Sequence, residues 1–288
     1  MTTAAQWVAG ARPRTLPAAV APVLVGTGAA VDPSPVRALL ALVVALALQV
    51  GVNYANDYSD GVRGTDADRV GPLRLVGSGA ASPAAVKRAA LLALGTGAVA
   101  GLVLSVLSAP WLVLVGAACL AAAWGYTGTA RPYGYRGLGE VSVFVFFGLV
   151  AVCGTAFVQG GRVTAGAVLG AVAMGALACA VLVVNNLRDL PTDAVVGKRT
   201  LAVVLGDAGT RRLYAALVAV ALVVPLGAAA VTGSGWPLLG LLGGLLATTP
   251  LGVVLAGAQG RDLVPVLGAT GRAQLVTGAL LGLGLLLA

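Results

Sequence analysis

Two short polar segments in an otherwise apolar chain contain the side chains best suited to chemistry. The first, Asn53 to Leu75, reads NYANDYSDGVRGTDADRVGPLRL and holds four of the ten acidic residues of the protein. The second, Asn185 to Asp193, reads NNLRDLPTD. Each segment follows an apolar run, and ionisable groups at the end of a membrane segment are costly and usually functional. We therefore predict one site built from two parts of the chain.

The spacing of these side chains predicts that they share helix faces. Asn53, Asp57 and Asp60 stand at i, i+4 and i+7, which places them on one face of a helix. Asn185 and Asp189 stand at i and i+4 in the same way.

The sequence also predicts where the second helix ends. Pro191 is expected to end it near Leu190, which would leave Asp193 on the loop beyond.

The chemistry that these residue types allow is narrow. The chain has no histidine, which excludes Ser-His-Asp catalysis and histidine-ligated zinc or haem. Two facing groups of oxygen ligands suit Mg²⁺ that bridges to a polyphosphate, because Mg²⁺ takes one or two carboxylates together with phosphate oxygens and water. Basic residues near the clusters are predicted to take up the remaining phosphate charge: Arg63, Arg69, Arg74, Lys198 and Arg199. For each single base, a role in membrane topology alone stays open.

The composition is that of a polytopic membrane protein. Of 288 residues, 59% are hydrophobic and only 10% charged, against roughly 25% charged in soluble domains. Nine apolar runs, each near the ~20 residues that span a bilayer, predict an all-α transmembrane bundle of about nine spans, with eight as the alternative. The runs lie at about 16–31, 38–56, 89–109, 111–127, 139–158, 163–187, 213–232, 235–256 and 273–288.

The distribution of basic residues predicts the orientation. With nine spans and a cytoplasmic N-terminus, one side carries sixteen of the eighteen Lys and Arg residues, and only Arg37 and Arg162 lie on the other. This asymmetry follows the positive-inside rule and places both aspartate clusters on the cytoplasmic face. The net charge of +8 is therefore assigned to membrane loops and does not indicate a nucleic-acid partner.

A weak internal repeat links the two clusters. Val52-Asn53 leads through three residues to Asp57, and Val184-Asn185 leads through three residues to Asp189. Both copies end apolar runs of the same orientation, and such repeats are common in membrane folds.

Longer motifs resemble those of a known family. Residues 56–79, NDYSDGVRGTDADRVGPLRLVGSG, and the second motif, NNLRDLPTDAVVGKRTLAVVLG, are similar to the two aspartate-rich motifs of the UbiA superfamily of intramembrane prenyltransferases. Within it, ARPRTLPAAVAPVLVGT at 11–27 and YTGTARPYGYRGLGEVSVFVFFG at 126–148 resemble the branch that acts on 1,4-dihydroxy-2-naphthoate in menaquinone biosynthesis. One departure is that Gly61 stands where the general motif has its second aspartate, and the naphthoate branch has the same pattern.

The resemblance implies a function, a cofactor and roles for residues. It implies a single transmembrane prenyltransferase domain over 1–288, in the cell membrane, with Mg²⁺ on the diphosphate of a polyprenyl donor. The implied metal ligands are Asn53, Asp57, Asp60, Asp66, Asp189 and Asp193, and the implied catalytic set is Asp57, Asp60, Asp189 and Asp193. The diphosphate would leave to give an allylic cation, which the ring of the naphthoate would attack with loss of its carboxylate, giving demethylmenaquinol.

Roles around the acceptor are implied with alternatives. Tyr126, Tyr133 or Tyr135 would face the cation, since aromatic rings stabilise cations, or would belong to an interfacial belt. Glu140 would steady the acceptor site or pair with a loop arginine. Arg12 or Arg14 would receive the carboxylate of the acceptor, and Asn53 and Asn186 are further candidate contacts.

Two other functions stay open at this level. A related enzyme could prenylate another aromatic acceptor, such as 4-hydroxybenzoate. A cation-coupled transporter would need ionisable groups or broken helices near the bilayer midplane, whereas the acids here collect at one end of the apolar runs.

Overall fold

The protein is a bundle of helices that are arranged around one long cavity. The computed structural model describes residues 2–64, 73–129 and 132–288. A short amphipathic helix, α1 (Ala4–Ala11), precedes nine apolar helical segments. These are α2 (Pro17–Gly28), α3 (Pro35–Arg63), α4 (Pro83–Leu107), α5 (Leu112–Gly125), α6 (Gly139–Gly160), α7 (Ala165–Val195), α8 (Leu201–Thr232), α9 (Trp236–Leu255) and α10 (Gly260–Leu286).

The prediction of an all-α polytopic bundle is confirmed. In the described part of the chain, seven of these segments are long and apolar enough to cross a membrane, and α2 and α5 are shorter apolar helices. Each of the nine predicted runs coincides with one of them. The count of nine spans and the orientation stay predictions.

The helices are longer at the acidic end than the apolar runs indicated. The run at 38–56 continues as helix to Arg63, and the run that begins at 213 belongs to a helix that starts at Leu201. Thr200 caps that helix by accepting a hydrogen bond from the N–H of Val203. Asp57, Asp60, Asp189 and Asp193 therefore all lie on helices.

The prediction that a helix ends near Leu190 is wrong. Helix α7 runs through Pro191 to Val195, so Asp193 is helical and buried. Pro191 lacks the N–H that would donate to the carbonyl of Leu187, so the helix loses one hydrogen bond there. Most of the apolar part of α7 is buried in the bundle, and this packing outweighs the local preference.

Small residues allow the closest helix crossing, between α2 and α10. A side chain on Gly28 would overlap the backbone of Gly282, and one on Gly278 would meet Ala21 at 2.6 Å. Gly278 and Gly282 are four residues apart, the spacing at which membrane helices approach backbone to backbone. This crossing joins the first and last of the nine apolar segments, and both also contact α7, where 72% of the residues in the most apolar stretch are buried.

Candidate active site

A cavity of about 1630 Å³ runs through the bundle between α3, α4, α5, α6 and α7. On α3 its wall extends from Ala41 to Asp60, which is roughly 28 Å at ~1.5 Å per residue. One end is polar and lies where α3 and α7 carry the two aspartate motifs. The rest is lined by apolar side chains such as Leu48, Leu104 and Phe147.

Helix α3 presents Asn56 and Asp60 to the cavity. They are one turn apart on α3, and Asp60 is only 6% exposed. The side-chain oxygen of Asn56 accepts a hydrogen bond of 2.6 Å from the hydroxyl of Thr127. This contact joins the first motif to the chain that leaves α5.

Asp57, one residue after Asn56, does not line the cavity. Its side chain is fully buried, and its two oxygens accept hydrogen bonds from the backbone N–H groups of Leu75 and Val76 at 2.8 and 3.0 Å. The carboxylate therefore holds the chain segment that follows the first motif.

Tyr135 and Lys198 connect the two motifs across the polar end. The phenol of Tyr135 donates a hydrogen bond of 2.5 Å to Asp60. The ammonium of Lys198 lies 5.2 Å from the centre of the Tyr135 ring and 3.4 Å from a carboxylate oxygen of Asp193. Asp60 of α3 and Asp193 of α7 are thus linked through one tyrosine and one lysine. On the other side of Asp60, the guanidinium of Arg74 lies 3.9 Å from its carboxylate.

Arg188 is the basic group that α7 presents to the cavity. Asp189 holds its guanidinium by two hydrogen bonds of 2.7 and 2.8 Å, and the side chain of Asn185 accepts a third at 3.0 Å. Both members of the ion pair are buried, and a bidentate pair of this kind fixes orientation as well as charge. Asp189 therefore sets the position of Arg188.

The N-terminal segment closes one side of the polar end. The amide nitrogen of Asn53 donates to the carbonyl of Ala11 at 2.9 Å and to the hydroxyl of Thr15 at 3.0 Å. Arg12, whose backbone adopts a left-handed conformation (φ 54°), reaches the carbonyl of Asn53 at 3.4 Å. Asn53 and Arg12 both line the cavity.

Glu140 and Tyr126 lie at the start of α6 and after α5. One oxygen of buried Glu140 accepts a hydrogen bond of 2.9 Å from the side chain of Asn186, which favours support of the site over a salt bridge to a loop arginine. Tyr126 lines the cavity, and its ring packs edge-on against that of Tyr133 with the ring centres 5.5 Å apart.

Eleven of the predicted site residues line the cavity and six described ones do not. Those in the wall are Arg12, Arg14, Asn53, Asp60, Arg74, Tyr126, Tyr133, Tyr135, Asn185, Asn186 and Lys198. Those outside the wall are Asp57, Arg63, Glu140, Asp189, Asp193 and Arg199. Asp66 and Arg69 lie outside the described residues.

Two residues that were predicted to contact diphosphate, Arg63 and Arg199, bond to backbone carbonyls in this structure. Arg63 donates to the carbonyls of Thr127 and Thr129 at 2.7 and 2.5 Å. The Arg199 side chain is exposed, and its backbone N–H donates to the carbonyl of Tyr135 at 3.1 Å. Their roles toward a ligand stay predictions, as do the catalytic and metal-binding roles of the aspartates.

Two residues at the polar end of the cavity, Asn56 and Arg188, were not predicted as site residues. A signal for Asn56 exists, because it stands one helical turn before Asp60. The repeat favoured the Asn53–Asp57 frame instead.

Beside the apolar end of the cavity, at the start of α3, lies a polar cluster around Arg37. Its guanidinium donates to the carbonyls of Val158 at 2.9 Å and Leu107 at 2.8 Å, the last turns of α6 and α4. The Trp111 and Phe157 rings pack beside it with their centres 5.3 Å apart.

Comparisons of the sequence with known proteins all point to one family. The sequence profile of the UbiA prenyltransferase family matches residues 16–286. The chain is 58% identical over 279 residues to a 1,4-dihydroxy-2-naphthoate octaprenyltransferase of Mycobacterium tuberculosis, covering 96% of this chain and 95% of the relative. It is 42% identical over 221 residues to the Escherichia coli protein of the same name, covering 73% and 72%.

Solved structures share the fold. An apo UbiA homolog from Aeropyrum pernix K1 superposes with a TM-score of 0.72 at 18% identity, covering 93% of this chain and 95% of that one. A UbiA homolog from Archaeoglobus fulgidus bound to GPP and Mg²⁺ superposes with a TM-score of 0.68 at 14% identity, covering 96% and 99%.

Proposed function

The chain belongs to the UbiA prenyltransferase family, and we propose that it transfers a polyprenyl group to 1,4-dihydroxy-2-naphthoate with loss of the carboxylate as carbon dioxide. The products are demethylmenaquinol and diphosphate. The observation that carries this proposal is the long cavity, whose polar end joins both aspartate motifs and whose remaining length is apolar. Such a shape suits a donor that has one highly charged end and a long hydrocarbon chain. The two relatives of the same name support the choice of acceptor.

The polar end is suited to hold the diphosphate through basic side chains. Arg74, Arg188 and Lys198 face the cavity there, each with a carboxylate behind it. Because these carboxylates fix the cations in advance, little reorganisation is needed when the charge of the leaving diphosphate develops.

The residues present also fit a magnesium ion that arrives with the diphosphate. The described part of the chain contains no group of three or more Asp, Glu, Cys or His side chains that could hold a metal ion together. It offers instead the oxygens of Asn56 and Asp60 at the cavity wall, which suits an ion that completes its shell with phosphate oxygens and water. Bound there with Asp189 and Asp193 nearby, Mg²⁺ would supply charge neutralisation of the departing diphosphate.

Next to the polar end, two aromatic side chains and a set of amides are suited to the acceptor and the cation. Tyr126 and Tyr135 line the cavity, where their rings can stabilise positive charge on the allyl group. Arg12 is suited to receive the carboxylate of the acceptor. Asn186, oriented by Glu140, is suited to contact the ring hydroxyls. Apolar walls keep water from the cation, which would otherwise be hydrolysed.

We infer from the charge asymmetry that the polar end opens to the cytoplasm of a cell whose plasma membrane holds this multi-pass protein. A reporter fused after Ala288 is expected on the outer side of the membrane if nine spans are present. A cytoplasmic reporter would contradict the nine-span orientation.

The function is tested with purified protein in detergent, Mg²⁺, a polyprenyl diphosphate and a panel of ring acceptors. Dihydroxynaphthoate should give diphosphate, carbon dioxide and a prenylated quinol, faster than 4-hydroxybenzoate does. Asp60→Asn should lose most of the turnover, whereas Asp262→Asn, at the exposed start of α10, should retain it. Turnover only with another acceptor would reassign the substrate. No turnover with any acceptor would favour the transporter.

A further inference from the structure

We propose that Asp57 is a positioning residue that fastens the 73–81 segment to α3 and thereby places Arg74 at the polar end of the cavity. The fastening itself is independent of the reaction. Its effect on donor binding rests on the function proposed above. This role differs from the metal-binding role that the aspartate-rich motif implies for Asp57.

The contacts of Asp57 are those of an anchor. Each carboxylate oxygen accepts one backbone N–H, from Leu75 at 2.8 Å and from Val76 at 3.0 Å. Hydrogen bonds from N–H groups to an ionised carboxylate are about twice as strong as neutral ones. Since the side chain is fully buried and absent from the cavity wall, its oxygens face the 73–81 segment.

Packing around the same point holds the segment close to α3. Leu75 is fully buried, and a side chain on Gly10 of α1 would meet it at 2.6 Å. A side chain on Gly61, one turn after Asp57, would overlap Val76. The segment is also closed on itself, because the N–H of Ala81 donates to the carbonyl of Leu75 at 2.9 Å. Its position therefore depends on a buried attachment to α3.

The attachment at Leu75 and Val76 sets the position of Arg74, the residue directly before them. Its guanidinium lies 3.9 Å from Asp60, and Arg74, Gly77 and Ser78 all line the cavity. Two aspartates three residues apart therefore have different roles. Asp60 faces the ligand, and Asp57 holds the wall that carries the cation.

The anchor is tested by amide hydrogen exchange in detergent without Mg²⁺ or donor. Asp57→Asn keeps the size of the side chain, but its amide group can accept only one of the two N–H bonds and turns a donor toward the other. We expect exchange of the Leu75 and Val76 amides to become about tenfold faster or more, with exchange in α7 unchanged. Asp60→Asn and Asp32→Asn, the latter in the exposed loop between α2 and α3, should leave the 73–81 exchange unchanged.

A second variant disturbs the same attachment without altering a carboxylate. Gly61→Ala places a methyl group against Val76 and should also accelerate exchange in 73–81. If neither variant changes exchange there, the proposal is overturned, whatever happens to activity.

Kinetics then separate positioning from metal binding. Asp57→Asn should raise the KM for the polyprenyl diphosphate, and should add little to the defect of Arg74→Ala when the two are combined, because both act through one cation. The Mg²⁺ concentration for half-maximal rate should rise in Asp60→Asn and stay near wild type in Asp57→Asn. Fully additive defects, or a Mg²⁺ requirement raised as far as in Asp60→Asn, would overturn the positioning role. Absence of turnover in the wild-type protein would refute the proposed function and leave the exchange result standing.

Discussion

The bond between Tyr135 and Asp60 gives the sharpest single test of the site. Tyr135→Phe removes only the phenol oxygen, which donates a hydrogen bond of 2.5 Å to a carboxylate that is 6% exposed. The ring stays, together with its contacts to the Lys198 ammonium at 5.2 Å and the Arg63 guanidinium at 5.7 Å. The change therefore isolates the hydroxyl that orients Asp60.

The size of the effect follows from the type of bond. A hydrogen bond to a charged group contributes about 1.5–3 kcal/mol. If Asp60 acts in the orientation that this bond fixes, kcat/KM should fall by roughly 10- to 150-fold, at about 1.4 kcal/mol per factor of ten. Tyr135→Leu also removes the ring beneath two cations, a further loss of about 0.5–2 kcal/mol.

The measurement is release of diphosphate under steady-state conditions, with donor and Mg²⁺ varied separately for wild type, Tyr135→Phe and Tyr135→Leu. A second readout is thermal unfolding in detergent, where Tyr135→Phe should lose no more than the same bond, about 1.5–3 kcal/mol, so that kinetics are compared at a temperature where all three proteins are folded. A Phe variant with wild-type kcat/KM beside a Leu variant with a large loss would show that the ring alone matters, and would refute the assigned role of the hydroxyl.

Further predictions concern stability, measured as unfolding in detergent. Arg188→Ala leaves buried Asp189 without its cation and should lower the free energy of unfolding by about 3–5 kcal/mol, whereas the double replacement with Asp189→Ala should recover part of it. Gly282→Leu should disrupt the α2–α10 crossing, at a cost of about 1–3 kcal/mol or more, while Gly252→Leu, where a side chain meets open space, should be neutral. Arg37→Met removes charged hydrogen bonds to carbonyls at the ends of α4 and α6 and should cost about 2–4 kcal/mol, with no change in the KM for either substrate.

Much of the fold could be predicted from sequence because hydrophobic run length is a direct physical requirement of a bilayer. Each of the nine runs coincides with a helical segment. The ends of the helices were less predictable, since they depend on local polar contacts. Helix α7 continues past Pro191 because it is buried in the bundle, and Thr200 caps the start of α8.

The candidate site could be predicted in outline but not in the direction of each side chain. Spacing placed Asn53, Asp57 and Asp60 on one helix, as observed. Which of them meets the cavity depends on how α3 is rotated against its neighbours, and that is set by packing of the whole bundle. The structure turns Asp57 toward Leu75 and brings Asn56 into the wall instead.

Sequence patterns could not predict which distant parts of the chain are in contact. Tyr135 meets Asp60 across a separation of 75 residues, and Asn186 meets Glu140 across 46. Motif resemblance placed each of these residues near the site. It carried no information on which pairs touch.

The Arg37 cluster has a consequence for the charge balance of the helix ends. One guanidinium at the start of α3 donates to the carbonyls of Leu107 and Val158, in the last turns of α4 and α6. The last carbonyls of a helix have no partner within it and carry partial negative charge. A single cation of α3 therefore compensates the ends of two helices that have no basic residue of their own in the last turn.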